Sequence, residues 1–398
     1  MVLLNPITRG PEVKSRVAVV GVGQTKFGVH KGQALSELAA EASFSAMADA
    51  RVDHSDIGFV SVGVASGSLS GQLSPAASIL DAIGLVGVPC QRSEAACATG
   101  SAAIYAAYSH ISSGLADTAI VIGAEIMTQV GTSSATDYLA QMTDSRWEYS
   151  LGITFPGMFA LMASAHMKEF GTTEEDLALV SCKNHRNALK NEDAQFHKTV
   201  SVEDVLGSPP VAPPLKLLDC SPLSDGAAAV ILASEEKART YTDTPVWVRA
   251  IGAASSGNLL SERKHLSSIP SIRLAAMRAF QQSGLSSRDM DFAEVHDCFT
   301  IAEIIAYEEL GFAERGKGAK LLRDGATEIG GDIPVNASGG LKAKGHPLGA
   351  TGVGMVVELT RQLRSEVEKS RQIKDAKVGL AQNMGLTGQY SYVSIYSR

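Results

Sequence analysis

Three short stretches bring together side chains capable of acyl-group chemistry. These are 94-EAACATGSAA-103, 296-HDCF-299 and 339-GGLKAKGHPLGATG-352. In the first, Cys97 stands where a polar turn becomes a helix of small residues. A thiol at a helix N-terminus feels the positive end of the dipole, which draws its pKa from about 8.5 toward 7 or lower. The small residues after it let a ligand come close to the backbone. The same stretch also suits a buried packing thiol, and taken alone it leaves both readings open.

His346 is flanked by five glycines and followed by Pro347. Glycines permit unusual φ values and close backbone approach, and Pro347 suits the first position of a helix. A phosphate-binding loop is disfavoured because the stretch lacks a Gly-Lys-Ser/Thr ending. HDCF sits at the end of a strand, where α/β sheets place their ligands. Alternation along an extended chain puts His296 and Cys298 on one face and Asp297 on the other. Metal binding competes for these residues but needs further ligands.

The remaining candidates are weaker. The stretch 383-NMGLTG-388 reads as a tight turn after a strand, and Cys220 in 220-CSPLSDGAAAVIL-232 as packing. His166, His185, His197 and His265 lie in polar or helical contexts and read as solvated or structural.

The elements that must position these groups follow a βαβαβ rhythm. VAVVGVG (17–23), IGFVSVGVASG (57–67) and TAIVIGAEIM (118–127) read as buried strands, with a helix at 34–52 and another after Cys97. The rhythm returns as strands at 244–255, 291–299 and 377–385, with helices at 272–285 and after His346. The pattern predicts a parallel sheet covered by helices, built twice. In each half a helix after the second strand opens on a reactive side chain, Cys97 or His346. The intervening segment 126–215 has another texture and reads as an inserted lid, with the Pro-rich SPPVAPP extended and rigid. The expected division is 1–125 plus 216–243, the insert 126–215, and 244–398.

Composition bounds the rest. A chain of 398 residues suggests several domains or a duplicated unit. The net charge of -7 argues against nucleic-acid binding. Five scattered cysteines, none in a C-x-x-C pair, fit a reducing compartment rather than a disulfide framework. No apolar run reaches the roughly 18 residues of a membrane span. The leader MVLLNPITRGPEVKSR lacks the features of a signal or transit peptide, so a cytoplasmic location is expected.

EAACATGSAA, CSPLSDGAAAVIL, HDCF, NASGGLKAKGHPLGATG and NMGLTG, in this order, resemble the thiolases across nearly the whole chain. HDCF replaces the N-E-A-F of ordinary thiolases and is similar to the sterol-carrier-type and archaeal-type acetoacetyl-CoA subgroup. The resemblance implies an α/β fold of duplicated βαβαβ halves in a five-layered α-β-α-β-α arrangement, with an inserted loop domain over coenzyme A. It also implies a homodimer or homotetramer.

By the same resemblance, Cys97 is the acylated nucleophile and His346 its base. Ordinary thiolases place a second catalytic cysteine where this chain has Asn383, and Cys298 is the natural substitute. His296 would join His346 around the thioester or enolate oxygen, and the N–H groups of Cys97 and Gly385 would form a second oxyanion hole. The implied activity is acetyl-CoA C-acetyltransferase, with coenzyme A thioester as co-substrate and no metal or other cofactor. The mevalonate route is the expected setting. Hydroxymethylglutaryl-CoA synthase and a small zinc-ribbon/OB-fold protein are expected partners. Lys183, Arg263 and Lys264 are candidates for the CoA 3′-phosphate by charge alone.

Four alternatives remain at this stage. They are a degradative 3-ketoacyl-CoA thiolase, a β-ketoacyl synthase, a thiolase-like retro-aldolase and a non-catalytic thiolase-fold subunit. Cys97 counts against the retro-aldolase, and the intact Cys97, His296, Cys298 and His346 count against the non-catalytic subunit.

Overall fold

The computed structural model describes residues 15–398. All but the last two residues of the leader stretch lie outside the described residues. The first half runs β1 (Val17–Gln24), α1 (Leu35–Ala50), β2 (Phe59–Gly63), α2 (Pro75–Ala82), β3 (Cys90–Ser93), α3 (Thr99–Ser112) and β4 (Thr118–Glu125). Four helices follow: α4 (Thr132–Ala140), α5 (Phe155–Phe170), α6 (Glu174–Ala188) and α7 (Val202–Leu206). A small antiparallel ribbon comes next, of β5 (Pro210–Ala212) and β6 (Leu215–Lys216). Part of the Pro-rich segment thus pairs as a strand, where the sequence reading expected none. β7 (Gly226–Ser234) completes the strands of this half, and α8 (Glu235–Tyr241) follows it.

The second half runs β8 (Val246–Ser255), α9 (Pro270–Ser283), β9 (Phe292–Val295), α10 (Thr300–Glu309), α11 (Gly318–Arg323), α12 (Leu348–Arg364), β10 (Val378–Gly385) and β11 (Tyr390–Ser397).

The nine long strands lie in the order β3-β2-β4-β7-β1-β8-β11-β10-β9. The order from β3 to β1 is repeated, outward from the seam, as β8-β11-β10-β9 with a parallel bridge from Ala293 to Val335 at the far edge. Within the sheet, among the described residues, the halves pair through Ala18 opposite Trp247 and Val19 opposite Val246. The duplication expected from the sequence is therefore present in the topology. The all-parallel sheet is not. β7 pairs antiparallel with β4 and β1, and β11 does so with β10 and β8. These two strands return the chain within the sheet, which a pure βαβ crossover does not do.

The layers follow from what packs where. α1 covers β1, β4 and β7 on one outer face, and α9 covers β8 and β11 on the other. Between the two halves of the sheet lie α3 and α12, side by side, with α12 touching β4 and β7 of one half and β10 of the other. Every residue from Leu348 to Thr360 is buried, as a helix enclosed on all sides requires. The two central helices cross at glycines. A Cβ on Gly100 would fall 2.7 Å from the Gly349 carbonyl oxygen, and one on Gly349 only 2.4 Å from that of Gly63. This close approach is what brings the start of α3 to the start of α12.

Candidate active site

Cys97 occupies a one-turn segment, Ala96–Ala98, between β3 and α3. The turn is strained: Ala96 has φ of 49° with its N–H donated to the Glu94 carboxylate at 2.6 Å. Cys97 keeps part of its surface accessible. Its thiol is nevertheless pushed up to about 12, first by burial and further by the charges of Glu125 and Glu94. The N–H groups of Leu386 and of Cys97 itself pull the other way. The sequence expectation of a lowered pKa is therefore corrected. Desolvation outweighs the helix dipole here, and the Cys97 thiol rests neutral.

His346 stands just before α12, with Pro347 at the N-cap. Its N–H donates to Ser224 Oγ at 2.9 Å, and its Nδ1 lies 2.7 Å from Thr351 Oγ1. That hydroxyl donates to the Pro347 carbonyl at 3.0 Å. It therefore receives the Nδ1 proton, and Nε2 is left as a bare lone pair. Nε2 is buried with no partner among the described residues. Burial lowers the imidazole to about 3, so it too rests neutral.

His296 follows the last residue of β9. Its N–H donates to Gln382 Oε1 at 3.0 Å, and its Nε2 is also buried and unpartnered. The two imidazoles meet edge to face, with centroids 5.0 Å apart. Burial and the neighbouring His346 hold His296 well below the usual histidine range. The Cys97 sulfur and one nitrogen of each ring all lie within 4.8 Å of one another. The spacing would also suit a soft cation.

Cys298 is buried, and its thiol is pushed well above the ordinary value by burial first and by a charge on Cys97 second. It is held in place by its neighbours. Ser221 N–H donates to the Cys298 carbonyl at 2.9 Å, and Phe299 stacks on Phe159 of α5 at 4.7 Å. Asp297 points away, as alternation predicted. It accepts from Leu341 N–H at 2.6 Å, Lys342 N–H at 3.2 Å and the Asn184 amide at 2.7 Å. Gly340 sits over this carboxylate at φ of 58°, and a Cβ there would fall 2.3 Å from Asp297. HDCF thus supplies a histidine and a thiol on one face. On the other it anchors the turn that presents His346.

The structure brings Cys97, His296 and His346 together with Cys298 beside them, and adds residues the sequence reading missed. Thr351 fixes His346, Leu386 directs an N–H at the Cys97 sulfur, and Asn383 and Ser101 touch the catalytic segments. Glu125 accepts from Ala65, Ser66 and Gly349 N–H, tying the loop after β2 to the first turn of α12. Of these, only the position of Asn383 stood out in the sequence. A cavity of about 330 Å³ opens beside the nucleophile segment, lined among others by Glu94, Ala96, Tyr138, Met142 and Leu386.

Among the CoA-phosphate candidates, Lys183 is corrected: it is buried, 2.8 Å from Glu303, and donates to the Val335 carbonyl. Arg263 turns inward to Thr387 Oγ1 at 2.9 Å, and Lys264 is exposed. His166 and His185 are buried and structural, and Cys220 packs as expected.

Residues 17–236 match the family model described as "Thiolase, N-terminal domain", and residues 252–398 that described as "Thiolase C-terminal domain-like". The chain belongs to the thiolase family. It is 46% identical to an acetyl-CoA acetyltransferase of Methanothermobacter thermautotrophicus, over 96% of this chain and 99% of that one. It is 41% identical to an acetyl-CoA acetyltransferase of Methanocaldococcus jannaschii, over 96% and 98%. Sterol carrier protein 2 of Bos taurus is 37% identical over 94% of this chain and 71% of that protein. Among solved structures, the Ltp2-ChsH2(DUF35) aldolase superposes with a TM-score of 0.83 at 26% identity, covering 97% and 99%. Human mitochondrial 3-ketoacyl-CoA thiolase gives 0.75 at 19% identity, over 97% and 99%.

Proposed function

We propose that the protein is an acetyl-CoA C-acetyltransferase that condenses two acetyl-CoA to acetoacetyl-CoA and catalyses the reverse thiolysis. The observation that carries this reading is the convergence of Cys97, His296 and His346, with Cys298 alongside. The names of the two archaeal relatives support the same substrate.

The chemistry follows from two neutral groups in contact. Cys97 attacks the thioester carbonyl as its proton passes to the bare Nε2 of His346, so charge appears only when there is an oxyanion to compensate it. The N–H groups of Cys97, Leu386 and Gly385 are the candidate donors to that oxygen, each worth about 3 kcal/mol in comparable sites. Cys298 protonates the departing CoA thiolate and is left as a thiolate itself. It then takes the α-proton of the second acetyl-CoA, and the enolate oxygen lies between His296 and protonated His346. Attack on acyl-Cys97 expels the Cys97 thiolate, which recovers its proton from His346. Protons balance over the cycle, and no further cofactor is invoked.

A second reading, thiolysis of longer 3-ketoacyl-CoA, uses the same four side chains, and the substrate chain-length profile separates the two. In the same proposal, 126–215 acts as the lid over coenzyme A, supported by the Phe159–Phe299 stack and by Tyr138 and Met142, which line the cavity beside Ala96. A homodimer or homotetramer in the cytoplasm, feeding the mevalonate route, completes it. Among the described residues no helix is long and apolar enough to cross a membrane. A small zinc-ribbon/OB-fold partner draws support from the DUF35 protein named in the aldolase complex. Hydroxymethylglutaryl-CoA synthase is the expected second partner.

The test is loss of acetoacetyl-CoA on addition of CoA, run beside C6 to C16 substrates, with intact mass after acetyl-CoA treatment. One acetyl group, absent in Cys97→Ala, is expected. No turnover of any chain length would sink the reading.

A further inference from the structure

We infer that Asn383 is the positioning residue that holds His296 as a hydrogen-bond donor, giving the two active-site imidazoles opposite tautomers. The inference rests on the proposed reaction only for its kinetic consequence.

Asn383 lies in β10, essentially buried, between the catalytic segments of both halves. Its side-chain Nδ2 donates to the Cys97 carbonyl at 3.2 Å and stands 2.9 Å from His296 Nδ1. Its Oδ1 accepts from Ser101 Oγ at 3.0 Å. The orientation of a buried amide is assigned from its partners, and here one partner decides it. The Cys97 carbonyl can only accept, so the atom facing it is the NH₂. The second proton of that NH₂ points at His296 Nδ1, which must then be the bare nitrogen. His296 therefore carries its proton on Nε2, and Nε2 is buried with no partner among the described residues.

His346 has the reverse arrangement: Thr351 takes the Nδ1 proton, and Nε2 is the lone pair. The two Nε2 atoms thus face the substrate with complementary functions. One donates to the thioester oxygen from the outset. The other accepts the Cys97 proton and becomes a donor only after the thiol has attacked. Two identical tautomers could not do this. With two donors there would be no base, and with two acceptors the carbonyl oxygen would meet only lone pairs. The same amide restrains the Cys97 carbonyl, so nucleophile and donor share one support.

The test uses full-length enzyme labelled with ¹⁵N-histidine, resting and without substrate. Long-range ¹H–¹⁵N spectra report which nitrogen is protonated, and the His296 signals are assigned by difference from His296→Asn. Wild type is expected to show His296 with Nε2–H and bare Nδ1. In Asn383→Asp, the replacing oxygen is either ionised or gives its single proton to the Cys97 carbonyl. Both cases turn a lone pair toward Nδ1, which should become protonated. The kcat for thiolysis should fall about 100-fold with KM within about twofold, the pattern of a lost oxyanion donor.

Asn383→Ala is made in parallel, in case the aspartate variant does not fold. It should show a new population protonated on Nδ1. Wild-type His296 with Nδ1–H, or folded variants in which Nδ1 stays bare, would overturn the inference. An inactive wild type with the expected tautomer would instead count against the proposed reaction alone.

Discussion

Thr351 Oγ1 stands 2.7 Å from His346 Nδ1, one turn into the helix that His346 precedes. The hydroxyl orients the ring and receives its proton, so the lone pair needed against Cys97 depends on it. Thr351→Val keeps shape but removes the acceptor. We expect kcat to fall about 10- to 100-fold with little change in KM, the scale of a weakened general base. Thr351→Ser should recover most of the loss. Steady-state thiolysis kinetics on the three proteins decide it, and an unchanged kcat in the valine variant would remove Thr351 from the mechanism.

The neutral resting thiol has a visible signature. With Cys97 pushed up to about 12 and His346 down to about 3, no thiolate–imidazolium pair accumulates near neutrality. Alkylation of Cys97 by iodoacetamide should rise about tenfold per pH unit from 7 to 9 without a plateau, because only the thiolate reacts. A rate already level at pH 7 would show a preformed ion pair. Mass spectrometry of the Cys97 peptide gives the profile directly.

In the cluster of one sulfur and two imidazole nitrogens within 4.8 Å of one another, the Cys97 sulfur and the bare Nε2 of His346 are the ligands open to zinc. Added Zn²⁺ should inhibit the enzyme reversibly and protect Cys97 from alkylation. A chelator should restore activity, and Cys97→Ser should bind the ion far more weakly by calorimetry. Inhibition that survives in the serine variant would place the ion elsewhere.

Gly340 faces the Asp297 carboxylate at a positive φ, with no room for a Cβ. Gly340→Ala should lower stability by roughly 2 kcal/mol or more, since strain and overpacking add. The turn carrying His346 should move with it. Thermal melts and kcat should therefore decline together, whereas a stable, fully active variant would mean the turn relaxes freely.

Much of this arrangement was legible in the sequence because its carriers are local. β4 is read from TAIVIGAEIM, a buried apolar run, and alternation through HDCF correctly separates Asp297 from its neighbours. Other elements leave no such trace. β3 is four residues of CQRS, mostly outside the core, and serines interrupt the apolar run of β11. Without β11, the antiparallel return of the second half stays hidden. Contacts made by folding are equally invisible. Nothing in the sequence near Cys97 announces that Leu386 will direct an N–H at its sulfur, or that burial will overcome the helix dipole.

The seam between the halves, two residue pairs wide in the sheet and closed by the paired central helices, makes the chemistry unevenly inherited. One repeat contributes Cys97, and the other contributes both imidazoles and the second thiol. In the proposed reaction the proton of Cys97 therefore crosses from one repeat to the other, so a shift of either repeat along the seam changes the distance that the proton must travel.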